Sequence, residues 1–166
     1  MDRQTLTEEQ VREETHDYLA QILGAFRRHF PELPLNGLAC ECDPGAGAMY
    51  VYLCDTRGDA QAPAATWPHS YVEQDIVGTS RPEWLDAYER LVAAYYSGAI
   101  DDYQTVADAF ATVLAGVSRA LADLEASGQL QVRGFVEQPV LDVWTEDDER
   151  VQTGRERVAA YRRPPT

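Results

Sequence analysis

A chain of 166 residues, 45% of them hydrophobic, suits one domain over residues 1–166 that buries roughly 70% of the surface its unfolded form exposes. Twenty-eight Asp and Glu residues against fourteen basic ones leave a formal net charge of −14, which repels nucleic acid and anionic membranes and attracts basic partners. No apolar run approaches the ~18 residues of a spanning helix, residues 1–10 lack the stretches of an export signal, and an odd number of cysteines fits reduced thiols, so a cytoplasmic protein is expected.

The first predicted element is a helix. Thr7-Glu8-Glu9-Gln10 has the form of a capping box, and Val11, Thr15, Tyr18, Leu19, Ile22, Leu23, Phe26 and Phe30 follow at helical spacing until Pro31. A β-hairpin comes next. Leu38, Cys40 and Cys42 alternate with Ala39, Glu41 and Asp43, the run 43–47 supplies turn chemistry, and 48–55 returns rich in β-formers.

From Asp55 to Ser80 the periodicity dissolves, with Tyr71-Val72 and Ile76-Val77 as candidates for a short element. Ser80-Arg81-Pro82-Glu83 reads as a second capping box, opening a helix that carries Trp84, Leu85, Tyr88, Leu91, Val92, Tyr95 and Tyr96 and stops at Ser97-Gly98. Asp101 or Asp102 caps a third, long helix with an apolar seam from Tyr103 to Leu124, closed by Ser127-Gly128. Leu130-Gln131-Val132 alternates like a strand, 139–145 is a further strand, Glu146 to Glu149 is an acidic turn, and Val151 to Tyr161 suits a last short helix. The order predicts an α+β fold in which an antiparallel sheet of about four strands is packed by three to four helices.

The chemistry-bearing residues are few. Cys40, Cys42 and Cys54, with His69 beyond, have the residue types of a zinc site, but Cys-x-Cys on a strand lacks the knuckle that curls two sulfurs onto one metal. Their acidic surroundings also disfavour a thiolate nucleophile. No bound metal, no cofactor and no catalytic residue are expected. No phosphate-binding glycine loop, nucleophile elbow, zinc-protease helix or calcium loop occurs in the sequence.

The densest chemistry lies in Thr66-Trp67-Pro68-His69-Ser70-Tyr71, followed by Glu73 and Asp75. Trp67, His69, Tyr71, Glu73 and Asp75 form a candidate partner-binding patch, because rigid aromatics anchor interfaces and carboxylates steer basic partners. The competing reading has Trp67 plugging the loop onto the core with His69 at its rim.

The chain also has a recognisable layout. An amphipathic helix precedes a hairpin and a Trp-bearing loop. Further helices end in Leu121-Ala122-Asp123-Leu124-Glu125-Ala126-Ser127-Gly128, ahead of a Val140-Leu141-Asp142-Val143 strand and an acidic turn. This layout resembles a bacterial family of uncharacterised proteins predicted to be immunity proteins of polymorphic toxin systems. The resemblance implies a protein that binds and neutralises a partner, such as a basic toxin domain, and carries no shared active-site residues. The alternative is a small enzyme or ligand-binding module with its site under the 55–80 loop.

Overall fold

The computed structural model describes residues 6–76 and 81–162. Helix α1 spans Glu8–His29, with the Thr7 hydroxyl accepting from the Gln10 backbone N–H at 3.1 Å. Glu8 and Glu9 in its first turn and Arg27, Arg28 and His29 in its last complement the helix dipole. Its stripe from Val11 to Phe26 is buried. Phe30 lies one residue past the helix and is exposed.

Strand β1 (Leu35–Asp43) and strand β2 (Ala48–Asp55) form the expected antiparallel hairpin. The Asp43 carboxylate caps its turn by accepting from the N–H groups of Gly45 and Ala46. Two short 3₁₀ turns follow at Ala64–Thr66 and Val72–Asp75.

Helix α2 (Glu83–Tyr96) begins after Pro82. Ser80 and Val77, part of the expected cap and short element, lie outside the described residues. The cap is supplied instead from α1: a Glu14 carboxylate oxygen accepts from the Trp84 N–H at 2.9 Å. Trp84 itself is fully buried and its indole N–H donates to Thr15 of α1 at 3.0 Å. Helix α3 (Tyr103–Ala126) has Asp102 as its cap, accepting from the Gln104 N–H. By length and composition alone α3 is long and apolar enough to cross a membrane. In the fold it is the long core helix packed along α1, with Val113, Val117, Leu121 and Leu124 buried.

Two expectations fail here. Residues 130–132 are not a strand but part of a single helical turn, α4 (Gln129–Val132). Gly128 and Gly134 both adopt positive φ, and the short span between them closes on itself through hydrogen bonds from Arg133 N to Leu130 O and Gly134 N to Gln131 O. The sheet therefore has three strands, ordered β2-β1-β3, with β3 at Phe135–Trp144. It is also mixed: β3 runs parallel to β1. Asp55 at the end of β2 pairs with Leu35 at the start of β1, and Phe135 at the start of β3 pairs with the same Leu35. The α2–α3 crossover thus returns the chain to the end of the sheet it left, and a parallel strand results. Helix α5 (Val151–Ala159) lies along β3, with Arg157 donating to the Val143 carbonyl at 2.9 Å.

The sheet is buried on two sides. Leu38, Cys40, Cys42, Met49, Val51, Leu53, Leu141 and Val143 face the helices and form the main core with them. Ala39, Tyr52 and Cys54 point the other way, into a smaller cluster with Ala60, Ala64 and Trp67 of the loop. The stretch from 56 to 71, with no strand or α-helix in it, is the cover of that second face.

Candidate partner-docking surface

The loop is fastened at three points. At the first, Asp55, fully buried, accepts from Arg57 through the backbone N–H at 2.8 Å, Nε at 3.1 Å and Nη2 at 2.6 Å, and it pairs with His69 Nε2 at 2.8 Å. The Arg57 guanidinium holds the Asp55 carboxyl well below the usual carboxylate range. The His69 ring packs edge-on against Phe26, with ring centroids 5.0 Å apart, and its backbone exchanges two hydrogen bonds with Leu53 on the free edge of β2.

At the second point, Trp67 lies over Gly37, where a Cβ would sit 2.8 Å from the indole Cη2. Its Nε1 donates to the Ala62 carbonyl at 3.2 Å, and only 4% of the residue is exposed. At the third, Arg155 of α5 donates to the carbonyls of Ala60, Gln61 and Ala62 at 2.8–3.0 Å. Buried Asp142 lies 3.7 Å from Arg155 Nε.

These fastenings cover two of three cross-strand rows on the second face. The row Cys54–Gly37–Val140 lies under Trp67, and the row Tyr52–Ala39–Asp142 under the 60–64 segment. The row nearest the hairpin turn, Tyr50–Glu41–Trp144, lies at the margin of this cover, with Tyr50 and Trp144 packed half-buried against the loop cluster. Tyr71 borders it. Tyr71 adopts φ 52°, strain for a residue with a Cβ, and sets its ring 5.1 Å from Tyr50 and 5.5 Å from Tyr52. Tyr52 in turn lies 5.7 Å from Trp144. Tyr71 is 43% exposed, while Tyr50 and Trp144 are half-buried.

Glu41 sits at the centre of this aromatic group, with Oε1 accepting from the Tyr52 hydroxyl at 2.6 Å. Burial pushes the Glu41 carboxyl up, and the neighbouring charges of Glu146 and Asp43 push it the same way. Burial likewise raises the Tyr50 hydroxyl, and Asp43, Glu41, Tyr71 and Glu73 raise it further.

Glu73 secures one border. Its Oε2 accepts from the Val51 N–H at 3.3 Å on the free edge of β2, and burial raises its carboxyl to about 7. Asp75 is exposed on the same turn. Of the five residues expected to form a patch, Tyr71, Glu73 and Asp75 stand at the border of this surface. Trp67 and His69 face inward and hold the loop down. Tyr50, Glu41 and Trp144 were missed. Their alternation placed them on one face of their strands, but only the register brings them into a row.

The cysteines divide between the faces, Cys40 and Cys42 on the helical side and Cys54 on the other, all buried and free. Burial pushes the Cys42 thiol up to about 12 and that of Cys54 to about 11. Among the described residues no group of three or more His, Cys, Asp or Glu is placed to hold a metal ion.

No family model, curated protein or solved structure matches the chain.

Proposed function

We propose that the protein is a cytoplasmic, cofactor-free binding protein of the immunity type, which covers a basic partner domain with the Tyr50–Glu41–Trp144 row and the turn bearing Tyr71, Glu73 and Asp75. The observation that carries this reading is the half-buried aromatic pair Tyr50 and Trp144, centred on buried Glu41 and bordered by exposed Tyr71. Aromatic rings supply contact area at small entropic cost, and a ring face attracts cations. The net charge of −14 adds long-range steering of a basic partner. The space beneath the loop is filled by Trp67, Ala60 and Ala64, which supports the loop as a cover for the sheet and weighs against a ligand site under it.

Affinity purification from cells that produce the protein, followed by binding kinetics with the recovered partner, tests the proposal. Trp144→Ala and Tyr71→Ala are expected to weaken the complex tenfold or more through faster dissociation, since hot-spot truncations cost about 2 kcal/mol or more. Reversing Asp75 to Lys should slow association at low salt only, because that charge acts across solvent. Recovery of no basic partner, or unchanged dissociation in both aromatic variants, would rule the proposal out.

A further inference from the structure

A second aromatic surface lies around the hairpin turn from the first. The end of α2 carries Tyr95 and Tyr96 and the start of α3 carries Tyr103, with ring centroids 5.6 Å apart for the first pair and 5.7 Å for Tyr95–Tyr103. Tyr96 is 70% and Tyr103 64% exposed, unlike the buried Val106 and Val113 further along the α3 seam. Adjacent helical positions are about 100° apart, so Tyr95 and Tyr96 cannot both face the core. The rings border a cleft of about 380 Å³ floored by Val92, Val106 and Phe110. Its opposite wall is the hairpin turn and the turn after β3, which contribute the carboxylates of Asp43, Glu146 and Asp147. Among the described residues no basic one lines it.

A second observation points to an occupant. Tyr88, 1% exposed and stacked on Phe110, has a buried hydroxyl without a hydrogen-bond partner. The Phe110 ring on which Tyr88 stacks is part of the cleft floor, so Tyr88 packs directly against it. A buried hydroxyl left unpaired is uncommon in a native fold. An apolar floor, exposed ring faces and uncompensated carboxylates together match one chemistry: a long side chain with an apolar stem and a cationic head.

We infer that this cleft is an interaction groove for a basic polypeptide segment, which seats an arginine or lysine side chain between Tyr96, Tyr103 and the carboxylates of Glu146 and Asp147. The inference rests on the reading of the protein as a partner-binding protein, but the two can fail separately, because the groove can accept such a segment whether or not the sheet face is used.

The test is a backbone-amide NMR titration of the full chain with a capped hexapeptide alternating Arg and Leu. A peptide with citrulline at each Arg serves as the isosteric uncharged control. Shift changes are expected at residues 95–96, 103–110, 43–45 and 146–147, with the citrulline peptide binding at least tenfold more weakly. The double variant Tyr96→Ala/Tyr103→Ala, both exposed positions, should keep its melting temperature and lose binding at least tenfold. Glu146→Gln/Asp147→Asn should lose several-fold and flatten the salt dependence. Changes centred on Tyr50, Tyr71 and Trp144 would overturn the inference while leaving the sheet-face proposal standing. Changes spread evenly over the acidic surface, equal binding of the citrulline peptide, or no binding would each overturn it as well.

Discussion

The two faces of the sheet are built to different rules. On the helical face the buried side chains are almost all hydrocarbon, and the fully buried polar residues Thr15 and Ser118 are hydroxyls bonded within or between helices. The buried carboxylates Glu41 and Asp142 belong to the other face, where they meet Tyr52 and Arg155, and buried Asp55 stands at the end of β2, where it ties Arg57 and His69 at the base of the loop. Burying a charged group costs several kcal/mol unless it is paired, so a sheet face of this kind contributes less net stability than an apolar one. The helical face therefore supplies the larger share of the stability.

The largest expected effect sharpens that contrast directly. Trp84→Ala, on the helical face, removes a fully buried indole and its bond to Thr15, and should cost about 4–5 kcal/mol, the upper range for such truncations. Trp67→Ala, under the loop, should cost nearer 3 kcal/mol, because a loop can collapse onto Gly37 where packed helices cannot. Urea denaturation at neutral pH measures both. Equal losses would erase the distinction between the faces.

A smaller effect is expected from Arg155→Met. The variant keeps the stem of the side chain and loses charged hydrogen bonds to three loop carbonyls, which should cost about 2 kcal/mol. It also strips buried Asp142, already raised to about 6 by burial, of its nearest guanidinium. The loss should therefore be greater at pH 8, where Asp142 is charged, than at pH 5. Amide exchange should accelerate across residues 60–67 and stay unchanged in α1 and α3. Uniform acceleration would mean that the loop is part of one cooperative unit with the core.

The sequence foretold these faces unequally. The Thr7 cap, a cap at Asp101 or Asp102, the hairpin turn and the ends of α3 are local signals, decided by neighbours a few positions away, and all were legible. The direction of β3 was not, since alternation states which side a residue faces and is silent on which way the strand runs. Leu130-Gln131-Val132 misled for a related reason: three alternating residues fit a strand, and the glycines at 128 and 134 that confine them to one turn carry their meaning only through φ. At the candidate site, Tyr71, Glu73 and Asp75 stood out as aromatic and acidic residues in a loop. Glu41 looked like an outward-facing strand residue, and its bond to Tyr52 becomes visible only when β1 and β2 are paired.

The smallest expected effect concerns Glu73, where the loop face meets the edge of the sheet. Its carboxyl is raised to about 7, first by burial and then by the repulsion of Asp75 and Glu41, against a reference of 4.5. Between those two values the folded chain keeps a proton that the unfolded chain has released. Stability linked to that proton is fully present below about pH 4.5 and is lost as pH rises through 7. Glu73→Gln stays neutral throughout and keeps an oxygen to accept the Val51 N–H. The variant should match the parent protein near pH 5 and exceed it at pH 8 by on the order of 1 kcal/mol, a value discounted from ~1.4 kcal/mol per pKa unit because the group retains solvent contact. The titration of Asp142 is common to both proteins and cancels in the difference, while Glu41, which repels Glu73, is relieved of that repulsion in the variant and shifts the difference in the same direction. Thermal melts at pH 5, 6, 7 and 8 measure it. Parallel curves would mean that Glu73 is already ionised and well hydrated in the folded protein, and that the border of the aromatic row is as open to water as Asp75.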